Sequence, residues 1–123
     1  PCATPTIVFK NSLPWLVFGS PGSQRIFSSM AQFLSLVIDQ GMSIDKAMMH
    51  PRIHSEQNGE LSMELERFDP SVISFLEKKG FKIRERESYA FYMGAVHVAL
   101  KCQTGHGFQG VADIRRDGTA MAN

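Results

Sequence analysis

Residues 24–40 constrain this chain more than any other segment. Ile26, Phe27, Met30, Phe33, Leu34, Val37 and Ile38 recur at three- and four-residue steps, which places them along one side of an α-helix. Gly41 follows as a natural stop. The apolar stripe is wide, so the helix has to pack on a sheet or inside a larger body. The preceding residues supply the sheet. Residues 6–10 and 15–19 read as the two strands of a hairpin, with Asn11, Ser12 and Pro14 in the turn. Pro5 stands just before the first strand, where a missing N–H is tolerated. Residues 20–23, Ser-Pro-Gly-Ser, break the strand before the helix.

Beyond Gly41, Ser43 is placed to cap a short helix through Met49, which Pro51 ends. Residues 52–54 read as extended. Leu61, Met63 and Leu65 alternate with Ser62, Glu64 and Glu66, as in a half-buried strand. Asp69-Pro70 opens a second long helix, with Val72, Ile73, Phe75 and Leu76 as its buried face and Gly80 as its end. Residues 81–87 alternate weakly, and 91–100 form a strand candidate containing Gly94. Gly105, Gly107 and Gly110 loosen the chain into a tail. This order predicts an α/β (α+β) fold of layered antiparallel sheets with helices outside, and no regular βαβ crossover.

At 123 residues the chain is one domain or part of a larger one. It opens on Pro1 rather than methionine, and a processed end or a fragment of a longer polypeptide both fit. No apolar run is long enough to span a bilayer as a helix. A formal charge of +1 offers no electrostatic ground for a nucleic-acid surface, and no basic stripe interleaves the aromatics Trp15, Phe27, Phe33, Phe75, Tyr89, Phe91 and Tyr92, which read as core. Cys2 and Cys102 are too few for a disulfide scaffold; they can pair, but buried thiols are the default reading, and no local signature marks Cys2 as a nucleophile.

The residues themselves suggest little chemistry. Residues 19–23, Gly-Ser-Pro-Gly-Ser, join a strand to a helix, and backbone N–H groups there can face an anion or a developing oxyanion. The same residues also make an ordinary tight turn and helix cap. They match neither the phosphate-loop nor the dinucleotide pattern. Asp113, Arg115, Arg116 and Asp117 form a second cluster, which can hold a carboxylate or brace the fold through ion pairs. Pro51 keeps His50 and His54 off one helical face, and His97 reads as a core histidine. No metal motif and no cofactor signature is present.

In combination the pieces say more. Residues 4–8 (Thr-Pro-Thr-Ile-Val), 15–22 (Trp-Leu-Val-Phe-Gly-Ser-Pro-Gly), Arg25-Ile26, Gly41-Met42, Pro51-Arg52 and 112–118 (Ala-Asp-Ile-Arg-Arg-Asp-Gly) occur in an order that resembles the C-terminal part of the small subunit of gamma-glutamyltransferases. The resemblance covers almost all of residues 1–123 and implies a segment of a four-layer αββα N-terminal-nucleophile hydrolase. It implies a precursor that cleaves itself into a large and a small subunit. The new N-terminal threonine, upstream of this segment and neither Thr4 nor Thr6, would be the nucleophile. It would carry the gamma-glutamyl group of glutathione or a related amide to water, an amino acid or a peptide. Gly22 and Ser23 match the paired glycines whose N–H groups form the family's oxyanion hole. Pro1 and Cys2 stand where two serines help hold the glutamyl α-carboxylate, and neither replaces their donors well. That change favours keeping a relative that acts on another acyl amide, such as an acylase or a poly-glutamate-processing enzyme; a structural or binding domain that kept the scaffold and lost the nucleophile is a separate alternative. The resemblance implies that Asp113, Arg115 and Asp117 brace the domain. It also implies the rest of the precursor as partner, no organic cofactor and no nucleic acid, and a periplasmic or secreted setting, with the cytoplasm still open.

Overall fold

A computed structural model of the chain describes residues 4–102 and 107–121. The hairpin forms between β1 (Thr6–Lys10) and β2 (Leu13–Gly19). Its turn is tighter than the sequence reading. Asn11 and Ser12, at φ of 53° and 62°, make a two-residue left-handed turn, the kind whose twist suits paired strands. Pro14 therefore lies inside β2. It is tolerated because it sits at a bulge, with Val8 opposite Leu16 and Phe9 opposite Pro14, and because pairing with the next strand begins only at Leu16.

The helix α1 (Arg25–Ile38) follows, then α2 (Ile44–Met49). Gly41 ends α1 as expected, with Met42 N–H returning to the Leu36 carbonyl at 2.9 Å. Ser43 has the extended backbone of a helix cap, but its hydroxyl makes no capping bond. Leu16 and Phe18 of β2, with Val96 and Val98, face Met30, Phe33, Leu36 and Val37 of α1 and Ile44, Ala47 and Met48 of α2. The Phe18 and Phe33 rings meet at 5.8 Å. The helices thus cover one face of a four-stranded antiparallel sheet ordered β1-β2-β6-β7, where β6 is His97–Lys101 and β7 is Phe108–Ala112. The other face leaves Ile7 and Phe9 more than half exposed.

A second sheet, ordered β3-β4-β5, comprises Ile53–Ser55, Glu60–Glu64 and Lys82–Arg86. It corrects the expectation of purely antiparallel layers. β4 and β5 run parallel, joined by α3 (Pro70–Lys78) in a βαβ crossover. Asp69 caps α3 by accepting from Ser71 N–H at 2.8 Å, but no residue of α3 is buried, and Val72 and Phe75 are exposed. Ile73 and Leu76 of its apolar stripe are only half-buried. Leu61 and Met63 are buried as expected, while Leu65 turns into a short 3-10 segment, Leu65–Arg67. Ser62 and Glu64, read as the solvated side, are fully buried.

The strand expected over 91–100 is shorter. Phe91–Met93 is one 3-10 turn, Gly94 ends it at φ +76°, and β6 begins at His97. His97 is exposed, not core, because it lies on the uncovered face of the sheet. The tail contains β7, which pairs Val111 with Val98 and Gly110 with Ala99. Phe27, Phe75 and Phe91 are exposed rather than core, and Cys102 is only half-buried.

Candidate functional site

The first candidate feature is the turn between β2 and α1. β2 ends at Gly19 beside His97. Ser20 is buried, its hydroxyl 2.9 Å from the Pro21 carbonyl and 3.2 Å from the Ser29 hydroxyl on α1. Gly22 has φ +141°, open to glycine and strained for other residues, and Ser23 has φ +55°. The serine at the second position accepts a left-handed backbone, at a cost of roughly 1 kcal/mol. The Gly22 and Ser23 carbonyls accept from Arg25 and Ile26 N–H groups at 3.2 Å each, which starts the helix. The N–H groups of Gly22 and Ser23 donate to no acceptor among the described residues. Among the described residues two adjacent donors therefore remain free at a helix N-terminus, where the backbone dipole favours negative charge. Pro1, Cys2 and His106 lie outside the described residues.

The wall behind this turn comes from the opposite end of the chain. A Cβ placed on Gly22 would lie 3.2 Å from the Gly94 Cα and 3.6 Å from Nη2 of Arg116. The Arg116 guanidinium stacks on Phe91, its carbon 4.1 Å from the ring centroid, and makes no ion pair among the described residues.

Of the charged tail, Asp113 and Arg115 are buried and form the centre of an ion network. Arg115 bonds both Glu64 oxygens at 2.6 Å and Asp113 at 3.2 Å. It also donates to the carbonyls of Met48 at 3.1 Å and His50 at 3.0 Å. Asp113 pairs with Arg52 and accepts from Val96 N–H at 3.1 Å. Arg67 reaches Glu64 at 2.9 Å. Burial and the charge of Arg115 push the Arg52 guanidinium down to about 10, which leaves it a cation at neutral pH. Burial works against the charge of Arg115 too, but the bonds from Glu64 and the charge of Asp113 hold its guanidinium above the ordinary value. These contacts tie α2, β4, the residue before β6 and the 3-10 turn Ile114–Arg116 together. Sequence reasoning missed Glu64 because it alternates with apolar residues, and it passed over Arg52 except inside the Pro51-Arg52 pair.

A second polar cluster joins α1 to the smaller sheet. Ser28 meets Nδ1 of His54 at 2.9 Å, and Nε2 of His54 lies 3.7 Å from Glu56. Glu56 accepts from Ser62 at 2.6 Å and from the Tyr92 hydroxyl at 2.7 Å. Arg25 and Arg86 flank the Tyr92 ring. Burial, with Arg25 and Arg86 nearby, holds the His54 imidazole below its ordinary value despite Glu56. Among the described residues, no three His, Cys, Asp or Glu side chains gather as metal ligands would.

Known proteins place this geometry. The sequence model of the family described as gamma-glutamyltranspeptidase matches residues 2–123. The chain is 38% identical over 86 residues to the glutathione hydrolase proenzyme of Escherichia coli, a match covering 69% of this chain and 15% of that protein. It is 31% identical over 118 residues to the acylase ACY 1 proenzyme of a Pseudomonas species, covering 96% of this chain and 20% of that one. A point variant of Helicobacter pylori gamma-glutamyltranspeptidase superposes with a TM-score of 0.79 and 36% identity, covering 93% of this chain and 61% of that one. The chain thus spans only about a fifth of the length of these curated relatives or less. The two sheets with their outer helices fit the αββα sandwich of the solved relatives. With the family match running over nearly every residue, this chain belongs to the gamma-glutamyltranspeptidase family.

Proposed function

We propose that this chain is the C-terminal segment of the catalytic domain of an amide acyltransferase or hydrolase. The single observation that carries the reading is the pair of free N–H groups on Gly22 and Ser23, at the family's strand-to-helix turn. In this reading the hydroxyl of a threonine upstream of the segment attacks the amide carbon. The carbonyl oxygen takes up negative charge, and the two N–H groups donate to it. The C–N bond breaks, the amine leaves with a proton, and an ester to threonine remains. Water or an acceptor amine then attacks that ester, and the threonine hydroxyl is restored. The segment alone lacks the nucleophile and is inactive in this account. The remainder of the precursor is its partner.

The gamma-glutamyl group of glutathione or a related amide is the acyl group that family membership favours. One observation favours a second reading, in which another acyl amide is used. By the family resemblance Pro1 and Cys2 stand at the positions of the serine pair, and proline offers no side-chain donor to an α-carboxylate. Similarity to an acylase supports keeping that reading.

The test uses the full-length protein. Intact masses and N-terminal sequencing are expected to show a chain that contains this segment and begins with threonine. The same material is then offered gamma-glutamyl anilide and anilides of simple dicarboxylic and aliphatic acids. Turnover of the gamma-glutamyl compound supports the first reading, and preference for the others supports the second. A processed threonine with no turnover of any amide refutes both, as does an uncleaved precursor that stays inactive.

A further inference from the structure

We propose that Gly94 is a positioning residue for the Gly22–Ser23 turn, an inference that rests on the oxyanion reading above. Gly94 has φ +76° and ψ −174°, a region essentially restricted to glycine. It is buried, and a Cβ there would lie 3.3 Å from the Ser29 hydroxyl and 3.6 Å from the Pro21 carbonyl. The relation is reciprocal, since a Cβ on Gly22 would meet the Gly94 Cα at 3.2 Å. Backbone therefore packs on backbone, with no side chain to yield between them.

Three groups hold this wall in place. Arg52 donates to the Gly94 carbonyl at 3.1 Å and to that of Met93 at 3.4 Å. Arg52 is itself fixed by Asp113. Ser29, against which Gly94 packs, bonds the Ile26 carbonyl at 3.1 Å and the Ser20 hydroxyl at 3.2 Å. The turn is thus clamped between α1 on one side and the Gly94 backbone on the other. Strain at Gly94 moves the two donors, and a displacement on the order of 1 Å in such a site costs about 100-fold in rate. The sequence reading treated Gly94 as a strand residue, and its role is visible only once the chain ends are brought together.

The test compares Gly94→Ala, Gly22→Ala and Ser29→Ala in the full-length protein. Turnover is counted per active site by covalent titration. A boronic acid carrying the preferred acyl side chain mimics the tetrahedral adduct and reads donor placement directly. Gly94→Ala is expected to lower kcat roughly 10- to 100-fold with KM little changed, and to weaken boronate binding by a similar factor. A merely structural role would reduce the number of titrated sites and leave the boronate dissociation constant alone. That result overturns the proposal. If Gly94→Ala matches the parent while Gly22→Ala is impaired, the proposal falls and the oxyanion reading stands. If neither variant alters kcat or boronate binding, the oxyanion reading falls and this one with it. Should Gly94→Ala fail to mature, Ser29→Ala decides. A several-fold loss of boronate affinity supports the clamp, and unchanged affinity refutes it.

Discussion

The ion network around Asp113 allows a sharp test of the claim that the charged tail braces the fold. Arg115→Met removes two 2.6 Å bonds to Glu64, one 3.2 Å bond to Asp113 and two bonds to the carbonyls of Met48 and His50. Among the described residues it leaves Glu64, which has no exposed surface, with only Arg67 and the Arg52 N–H at 3.1 Å. Removing one member of a buried pair costs about 3–5 kcal/mol, largely because the other charge stays buried and underpaired. Glu64→Met should cost a similar amount, because Arg115 then keeps only Asp113 as a counter-charge. The double variant removes one charge of each sign and leaves Arg52 paired with Asp113. It should therefore cost less than the sum of the singles by about 2–3 kcal/mol. Urea unfolding of the full-length protein measures this, with each change taken from the shift in midpoint multiplied by the slope. If the two single effects add to within about 0.5 kcal/mol, the charges act independently and the bracing argument is wrong.

Three further outcomes follow from the structure. Ser23→Gly keeps the N–H and relieves a left-handed φ of 55°, so turnover should stay within about 3-fold of the parent and stability should change by less than about 1 kcal/mol. A large loss of rate would show that the Ser23 side chain takes part. His54 favours its neutral form in the fold, with its value held below the ordinary 6.5. The unfolded chain thus binds the proton first, and stability should fall as pH drops from about 6.5 through the folded value. Melting temperatures across that window should fall less for His54→Gln than for the parent, and equal slopes would refute the assignment. Restoring serine at positions 1 and 2 should raise kcat/KM for a gamma-glutamyl amide relative to an aliphatic one by roughly 10-fold if the pair faces the substrate carboxylate. An unchanged ratio would remove both positions from the site.

Local chemistry was legible wherever it repeats or punctuates. The three- and four-residue spacing located α1, Asp69-Pro70 located the start of α3, and Gly41 and Gly80 located helix ends. The turn at Gly22 and Ser23 was legible as a strand-to-helix break with N–H groups available, and equally as an ordinary tight turn and cap. Expectations went astray where neighbours decide. Phe75 and Val72 satisfy helical periodicity, yet periodicity reports which residues share a side and not whether anything covers it. β7 contains Gly110 and lacks alternation, and it exists because β6 offers it an edge. His97 looked apolar by its sequence neighbours, but its strand turns it to the uncovered face.

By itself the sequence determined the elements set by backbone preference and apolar period, and through ordered motifs it determined the family. The tertiary structure alone decided how distant segments meet. It placed Glu64 and Arg52 against Arg115 and Asp113, and it set Gly94 against Gly22. Those pairings join residues up to 72 positions apart. Periodicity extends only a few turns along a chain, whereas burial of charge and backbone contact are settled by whichever surfaces fold together. A glutamate in a half-apolar strand therefore looks solvated in the sequence and becomes the anchor of a buried network in the fold.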